Sequence, residues 1–140
     1  MSKLGRLRRI NDICLYVDNI EACERFYTEK FGFKVIQKRV EDGLTKYILF
    51  DDFHGTAVAL WEKSDLCKVL DEQHLGNVGH RFMIAVLVPS PGIVDEIHQE
   101  LAQKGVVCIK EPETYPAFKC RAAYFTDPEK NIWEVFSYVE

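Results

Sequence analysis

The chain has 140 residues, of which 47% are hydrophobic and 29% charged, and a formal net charge of −4. That length suits one domain with its own core; the negative balance argues against a nucleic-acid partner, whose phosphates need a basic surface. No apolar run approaches the roughly 20 residues of a membrane span, and five scattered cysteines without a Cys-x-x-Cys pair fit reduced thiols in a cytoplasm better than a disulfide frame.

Residues 1–9 carry Lys3, Arg6, Arg8 and Arg9 with no apolar signal core after them, and read as a solvated basic tail. A single domain follows over 10–140. Ile10 to Val17 alternates as a strand, with Ile13, Leu15 and Val17 on one face and Asp12, Cys14 and Tyr16 on the other. Asp18 or Asn19 can cap the next helix, whose apolar stripe is Ile20, Cys23, Phe26 and Tyr27. Gly32 ends it in a left-handed position. Val35 to Val40 and Leu44 to Phe50 form a hairpin around Glu41-Asp42-Gly43, and Thr56 to Glu62 is a further strand.

Residues 63–79 connect two halves. Ser64 caps a predicted short helix from Asp65 to Gln73. The half over 80–140 repeats the order of the half over 10–62. Phe82 to Val88 is a strand, Pro91 opens a helix striped with Val94, Ile97 and Leu101, and Gly105 ends it. Val106 to Ile109, Cys120 to Thr126 and Ile132 to Tyr138 complete the set, with Glu111 to Phe118 expected as a loop. The offset of about 70 to 75 residues marks a tandem repeat. The fold class is α+β, built from two βαβββ modules.

The last strand follows Asp127-Pro128-Glu129-Lys130-Asn131, a turn in which Asn131 is expected to take the left-handed conformation. Glu134 then stands inside an otherwise apolar alternating run, where a carboxylate needs a cation or donors. A strand of the form D-P-x-G-N-x-x-E, together with Phe26-Tyr27, Phe31-Gly32-Phe33 and Lys104-Gly105-Val106, resembles the vicinal-oxygen-chelate family of glyoxalases, bleomycin-binding proteins and extradiol dioxygenases. The chain departs from that pattern at Lys130, where glycine is usual. The resemblance implies a curled mixed sheet around a cleft, often completed in a homodimer.

The resemblance also implies four metal-ligand positions, at Asp12, Ala59, Met83 and Glu134. Alanine cannot bind a metal, and a thioether is disfavoured by hard or borderline divalent ions. Asp12 and Glu134 would be the ligands if a metal were held, short of the three that a catalytic site generally uses. The expectation is therefore no cofactor, the alternative being one divalent ion such as Zn, Ni, Mn or Fe.

The same alternation lines the expected cleft with Asp12, Cys14, Tyr16, Trp61, Met83, Tyr124, Glu134 and Phe136, an apolar and aromatic surface with a few polar groups. Trp61 and Tyr124 can stack on a flat ligand. Glu134 has a second reading, as an ion pair with Arg81 or a lysine. One function is a metal-free protein that sequesters an aromatic or amphipathic small molecule, with a cationic one favoured by the acidic pair. The alternative is a metal-dependent lyase, isomerase or dioxygenase of the glyoxalase type. A third is metal-free catalysis with Glu134 or Asp12 as general base. Glu134 is the catalytic candidate in the enzymatic readings.

Overall fold

The computed structural model describes residues 2–6, 9–52, 54–70 and 82–140. The first module runs β1 (Asp12–Val17), α1 (Ile20–Glu29), β2 (Val35–Glu41), β3 (Leu44–Phe50) and β4 (Ala57–Glu62), and a short α2 (Lys63–Leu66) follows. The second runs β5 (Ile84–Leu87), α3 (Pro91–Gln103), β6 (Val107–Tyr115), β7 (Cys120–Thr126) and β8 (Ile132–Tyr138). The strands form two four-stranded mixed sheets, ordered β1-β4-β3-β2 and β5-β8-β7-β6. In each, the first and last strands of the module lie parallel and the other pairs antiparallel. The repeat read from the order of elements is therefore a repeat of sheet topology.

Local sequence explains most boundaries. Asn19 caps α1, its side chain accepting from the Ala22 amide at 3.0 Å. Asp42 and Gly43 both have positive φ, the geometry that a two-residue hairpin needs to match strand twist. Gly32 and Gly105 sit at φ of 72° and 79° and end the two long helices.

Four expectations are corrected. Strand β5 starts at Ile84, because its ladder with β8 begins at Ile84 and Trp133, so Phe82 and Met83 precede it. Helix α2 starts at Lys63 with Glu62, not Ser64, accepting from the Asp65 amide; the expected stretch beyond residue 70 lies outside the described residues. Lys130, not Asn131, takes the left-handed conformation at φ 68°. Asn131 instead gives its amide and side-chain NH2 to Asp127, which fixes it as the start of β8. Finally, β6 runs on to Tyr115 through the expected loop. Pro112 lacks an amide to donate, but β6 is an edge strand and its register shifts between Lys110 and Glu113, the two circumstances in which a sheet accepts proline.

Helices cover one face of the sheets. Leu15, Val17, Ile48, Phe50, Val58 and Leu60 pack with Ile20, Cys23 and Tyr27 of α1, and Ile84 and Trp133 of the second module join this cluster. Val94 and Leu101 of α3 pack with Ala123, Phe125 and Val135. An aromatic group of Tyr27, Phe31, Phe33, Phe50 and Trp133 sits where the modules meet, with Phe31 and Trp133 centroids 5.1 Å apart. Tyr27 and Trp133 are 0% and 1% exposed. Rings of this size bury 150–250 Å² each, roughly 4–6 kcal/mol of gross transfer energy apiece.

Polar contacts join the modules as well. The Tyr27 hydroxyl donates to Asp127, and the Trp133 indole N–H donates to Tyr27 Oη at 3.0 Å. Glu129 accepts the Asp18 and Asn19 amides at 3.1 and 3.2 Å, placing a carboxylate at the positive end of α1. The Asp-Pro-x-x-Asn turn thus clamps the second module to the first.

Candidate functional site

With helices on one face, alternation leaves the other face of each sheet open, and register sorts its residues into rows. In the first sheet Arg39, Tyr47, Trp61 and Tyr16 are successive cross-strand partners, so a cation and three aromatics cross all four strands. The adjacent row is Gln37, Leu49, Ala59 and Cys14, and Asp12 pairs with Ala57 one step further. In the second sheet the rows are Lys110, Tyr124, Glu134 and Ala85, then Glu113, Ala122, Phe136 and Leu87. By repeat position Glu134 corresponds to Ala59.

Glu134 is half-buried, and its Oε2 accepts the Tyr124 hydroxyl at 2.5 Å. Tyr124 is its direct cross-strand partner on β7. Burial, and then this bond, push the Tyr124 phenol well above its ordinary range. Tyr115 lies near enough to feel the Glu134 charge, and it too is raised, first by burial and then by Glu113. The partner of Glu134 is therefore a tyrosine; Arg81, the partner considered from sequence, lies outside the described residues.

Asp12 is half-buried and accepts from Asn11 Nδ2 at 2.8 Å. Burial, and then the Asp12 charge, push the neighbouring Cys14 thiol up to about 11, so it stays protonated and unreactive at neutral pH. Trp61 meets Tyr47 edge-on with centroids 6.0 Å apart, and its indole N–H donates to Asp65 Oδ2 at 2.9 Å. Phe136 is half-buried, and Met83, ahead of β5, is 47% exposed. Asp12, Cys14, Tyr16 and Trp61 are thus brought together on one sheet, and Tyr124, Glu134 and Phe136 on the other.

A cavity of about 360 Å³ opens at the seam of the sheets, walled by Ile13, Ala57, Ile84, Ala85, Leu87 and Trp133. Ala57 is the cross-strand neighbour of Asp12, and Ala85 that of Glu134. Its size falls within the range of small-molecule pockets. His54 and Thr56 also line it. Sequence reading missed Lys110, Glu113 and Tyr115 because the strand was expected to end at Ile109, with a loop from Glu111. The alternation Lys110, Glu113, Tyr115 across one bulge was the signal available.

Among the described residues the donor set does not fit a metal. Among the described residues no group of three His, Cys, Asp or Glu side chains comes together that could hold an ion. Ala59 stands in the first sheet at the position equivalent to Glu134, Ala85 is the cross-strand neighbour of Glu134, and Glu134 and Asp12 each have a hydrogen-bond partner from the protein.

Two repeated βαβββ modules, each giving a four-stranded mixed sheet, define the class of fold. The profile of the Glyoxalase/Bleomycin resistance protein/Dioxygenase superfamily matches residues 9–135, and the chain belongs to that family. It is similar to a glyoxalase/bleomycin resistance protein/dioxygenase from Nocardioides, with TM-score 0.82 and 28% identity over 96% of this chain and 85% of that one. Two more distant likenesses are of fold alone. A lactoylglutathione lyase from Agrobacterium tumefaciens has TM-score 0.73 and 19% identity, over 94% of this chain and 95% of that one. TnmS3, an antibiotic binding protein from Streptomyces sp. CB03234, has TM-score 0.71 and 17% identity, over 95% and 98%. Among the described residues no helix is long and apolar enough to cross a membrane.

Proposed function

We propose that the protein is a metal-free small-molecule-binding member of the family, sequestering an aromatic or amphipathic ligand, with a cationic one favoured. The observation that carries this reading is the row around Glu134. Its carboxylate stands between Ala85 and the hydrogen-bonded Tyr124, and the equivalent slot in the first sheet holds Ala59. The side chains that would complete a metal centre are apolar, while the faces around them are aromatic. Asp12 and Glu134 give those faces a negative bias that attracts cations. The antibiotic-binding neighbour agrees with small-molecule binding as a use of this fold.

The working unit in this reading is a homodimer in the cytoplasm. Strands β1 and β5 are edges of their sheets, and Tyr16, Met83 and Leu87 on or beside them are 43%, 47% and 58% exposed. A second copy covering this surface removes apolar area from water and closes the cleft. All five cysteines are free, as suits a reducing compartment.

The test has two arms. Protein purified without chelator is analysed for metal, and a panel of cationic, neutral and anionic aromatic compounds is screened by equilibrium dialysis. Metal below a tenth of an equivalent, with retention of cationic aromatics, is the expected result. A stoichiometric divalent ion would replace this reading with the glyoxalase-type lyase, isomerase or dioxygenase, for which Asp12 and Glu134 are the ligand candidates.

A further inference from the structure

Asp65 is a carboxylate that neither the fold nor the cleft reading has explained. It is 6% exposed, on a helix only four residues long. One oxygen, Oδ2, takes two donors: Arg39 Nη2 at 2.6 Å and the Trp61 indole N–H at 2.9 Å. The other faces Lys68 Nζ at 3.5 Å. Its backbone amide donates to Glu62 Oε2 at 2.7 Å, and the Ser64 hydroxyl donates to the same carboxylate. Three elements therefore meet at one atom: β2 through Arg39, β4 through Trp61, and α2 through Asp65 itself.

Both donors belong to the first row of the open face. Arg39 and Trp61 flank Tyr47 across the strands, and Tyr16 lies beyond Trp61. Asp65 thus ties together the two residues that flank Tyr47 in the row. Two consequences follow from the chemistry. Indole has one donor, so with that N–H bonded to Asp65 the ring has no hydrogen bond left to offer a ligand. Only its π surface remains, which recognises flat groups by stacking and cations by their charge. Arg39 has its charge met by Asp65 and also by Glu41 at 2.9 Å, so it does not repel a cation on the neighbouring rings.

We propose that Asp65 is a positioning residue for ligand recognition: it locks Trp61, through the indole N–H, as the stacking plate of the cleft, and neutralises Arg39 beside it. The inference rests on the cleft-binding reading above and assigns the aromatic subsite to the Tyr16–Trp61–Tyr47 row. A merely structural Asp65 would set stability and leave the ring's orientation and its ligand alone.

The experiment uses the full chain labelled with 15N and follows the two indole N–H resonances, with W61F assigning them. Ethidium, a planar aromatic cation, is the probe. In D65A the Trp61 resonance is expected to move upfield on loss of its acceptor while that of Trp133 stays in place, and the ethidium Kd rises at least tenfold. In D65N, whose amide oxygen still accepts from Trp61 but whose side chain no longer neutralises Arg39, the resonance moves little and the Kd rises by less than in D65A. If D65A does not fold, Asp65→Ser, too short to reach the indole, replaces it. A Trp61 resonance unmoved in D65A overturns the proposal, as does a moved resonance with unchanged ethidium affinity. Wild-type protein that does not bind ethidium overturns the cationic-aromatic reading of the cleft, and the indole shift then still decides whether Asp65 holds Trp61.

Discussion

The hydroxyl of Tyr27 donates to the carboxylate of Asp127 at 2.5 Å, across a hundred residues of sequence. Asp127 is 4% exposed and also accepts the Glu129 amide, the Asn131 amide and the Asn131 side chain at 2.8–2.9 Å. One carboxylate therefore shapes the β7–β8 turn and fastens it to α1. Asp127→Ala strands several buried donors and is expected to cost about 3–5 kcal/mol, whereas Tyr27→Phe, which removes the bond to Asp127 and the one accepted from the Trp133 indole, costs about 1–3 kcal/mol. Urea unfolding followed by circular dichroism measures both.

Lys130 has φ 68° where glycine would have no Cβ to strain. Lys130→Gly is expected to stabilise by about 0.5–1 kcal/mol, the strain relieved exceeding the entropy gained by the unfolded chain. A lower urea midpoint for the variant would contradict this account of the turn.

Tyr124→Phe leaves Glu134 half-buried without its phenol partner and is expected to destabilise by about 1–2 kcal/mol. Glu134→Gln retains a carbonyl acceptor for Tyr124 and should cost less. A double-mutant cycle of Tyr124→Phe with Glu134→Ala, which removes the acceptor, gives their coupling; independence of the two would remove the hydrogen bond as an energetic feature of the site.

Stability should fall at high pH. Tyr27, Tyr47, Tyr115 and Tyr124 all have phenol pKa values raised in the folded chain, with burial the largest cause in each. A raised folded pKa favours the neutral form, so this contribution is present below the unfolded value, about 10, and is lost as pH rises beyond it. Thermal unfolding between pH 8 and 11.5, with 295 nm absorbance reporting phenolate, follows the loss. Tyr27→Phe and Tyr124→Phe should flatten the curve.

At the acid end the sign reverses. The Arg39 hydrogen bond, and then that from Trp61, pull the Asp65 carboxyl from 3.8 down to about 2. A depressed pKa contributes stability above the unfolded value, lost as pH falls from about 4 towards 2. Asp65→Asn removes that titration, so its stability should vary less over this window than that of wild type. Equal slopes for the two proteins would place the acid sensitivity elsewhere.

Much of this architecture is legible in residue order. Alternation in Ile13–Val17 and Ile132–Phe136 separates a packed face from an open one, because a strand turns successive side chains to opposite sides. Gly32 and Gly105 mark both helix ends because only glycine enters the left-handed region without cost. Repetition of the strand and helix order gives the sheet topology.

Partners distant in sequence were not legible. Tyr27 with Asp127, Trp133 with Tyr27, and Glu129 with the start of α1 depend on where two modules dock, and periodicity carries no information about docking. Pro112 concealed a strand because local propensity counts a lost donor, whereas the sheet edge and a bulge remove the need for one. The residues by themselves determined which side chains share a face; tertiary packing alone decided which of them touch, since hydrogen-bond partners are selected by distance in space and not by separation along the chain.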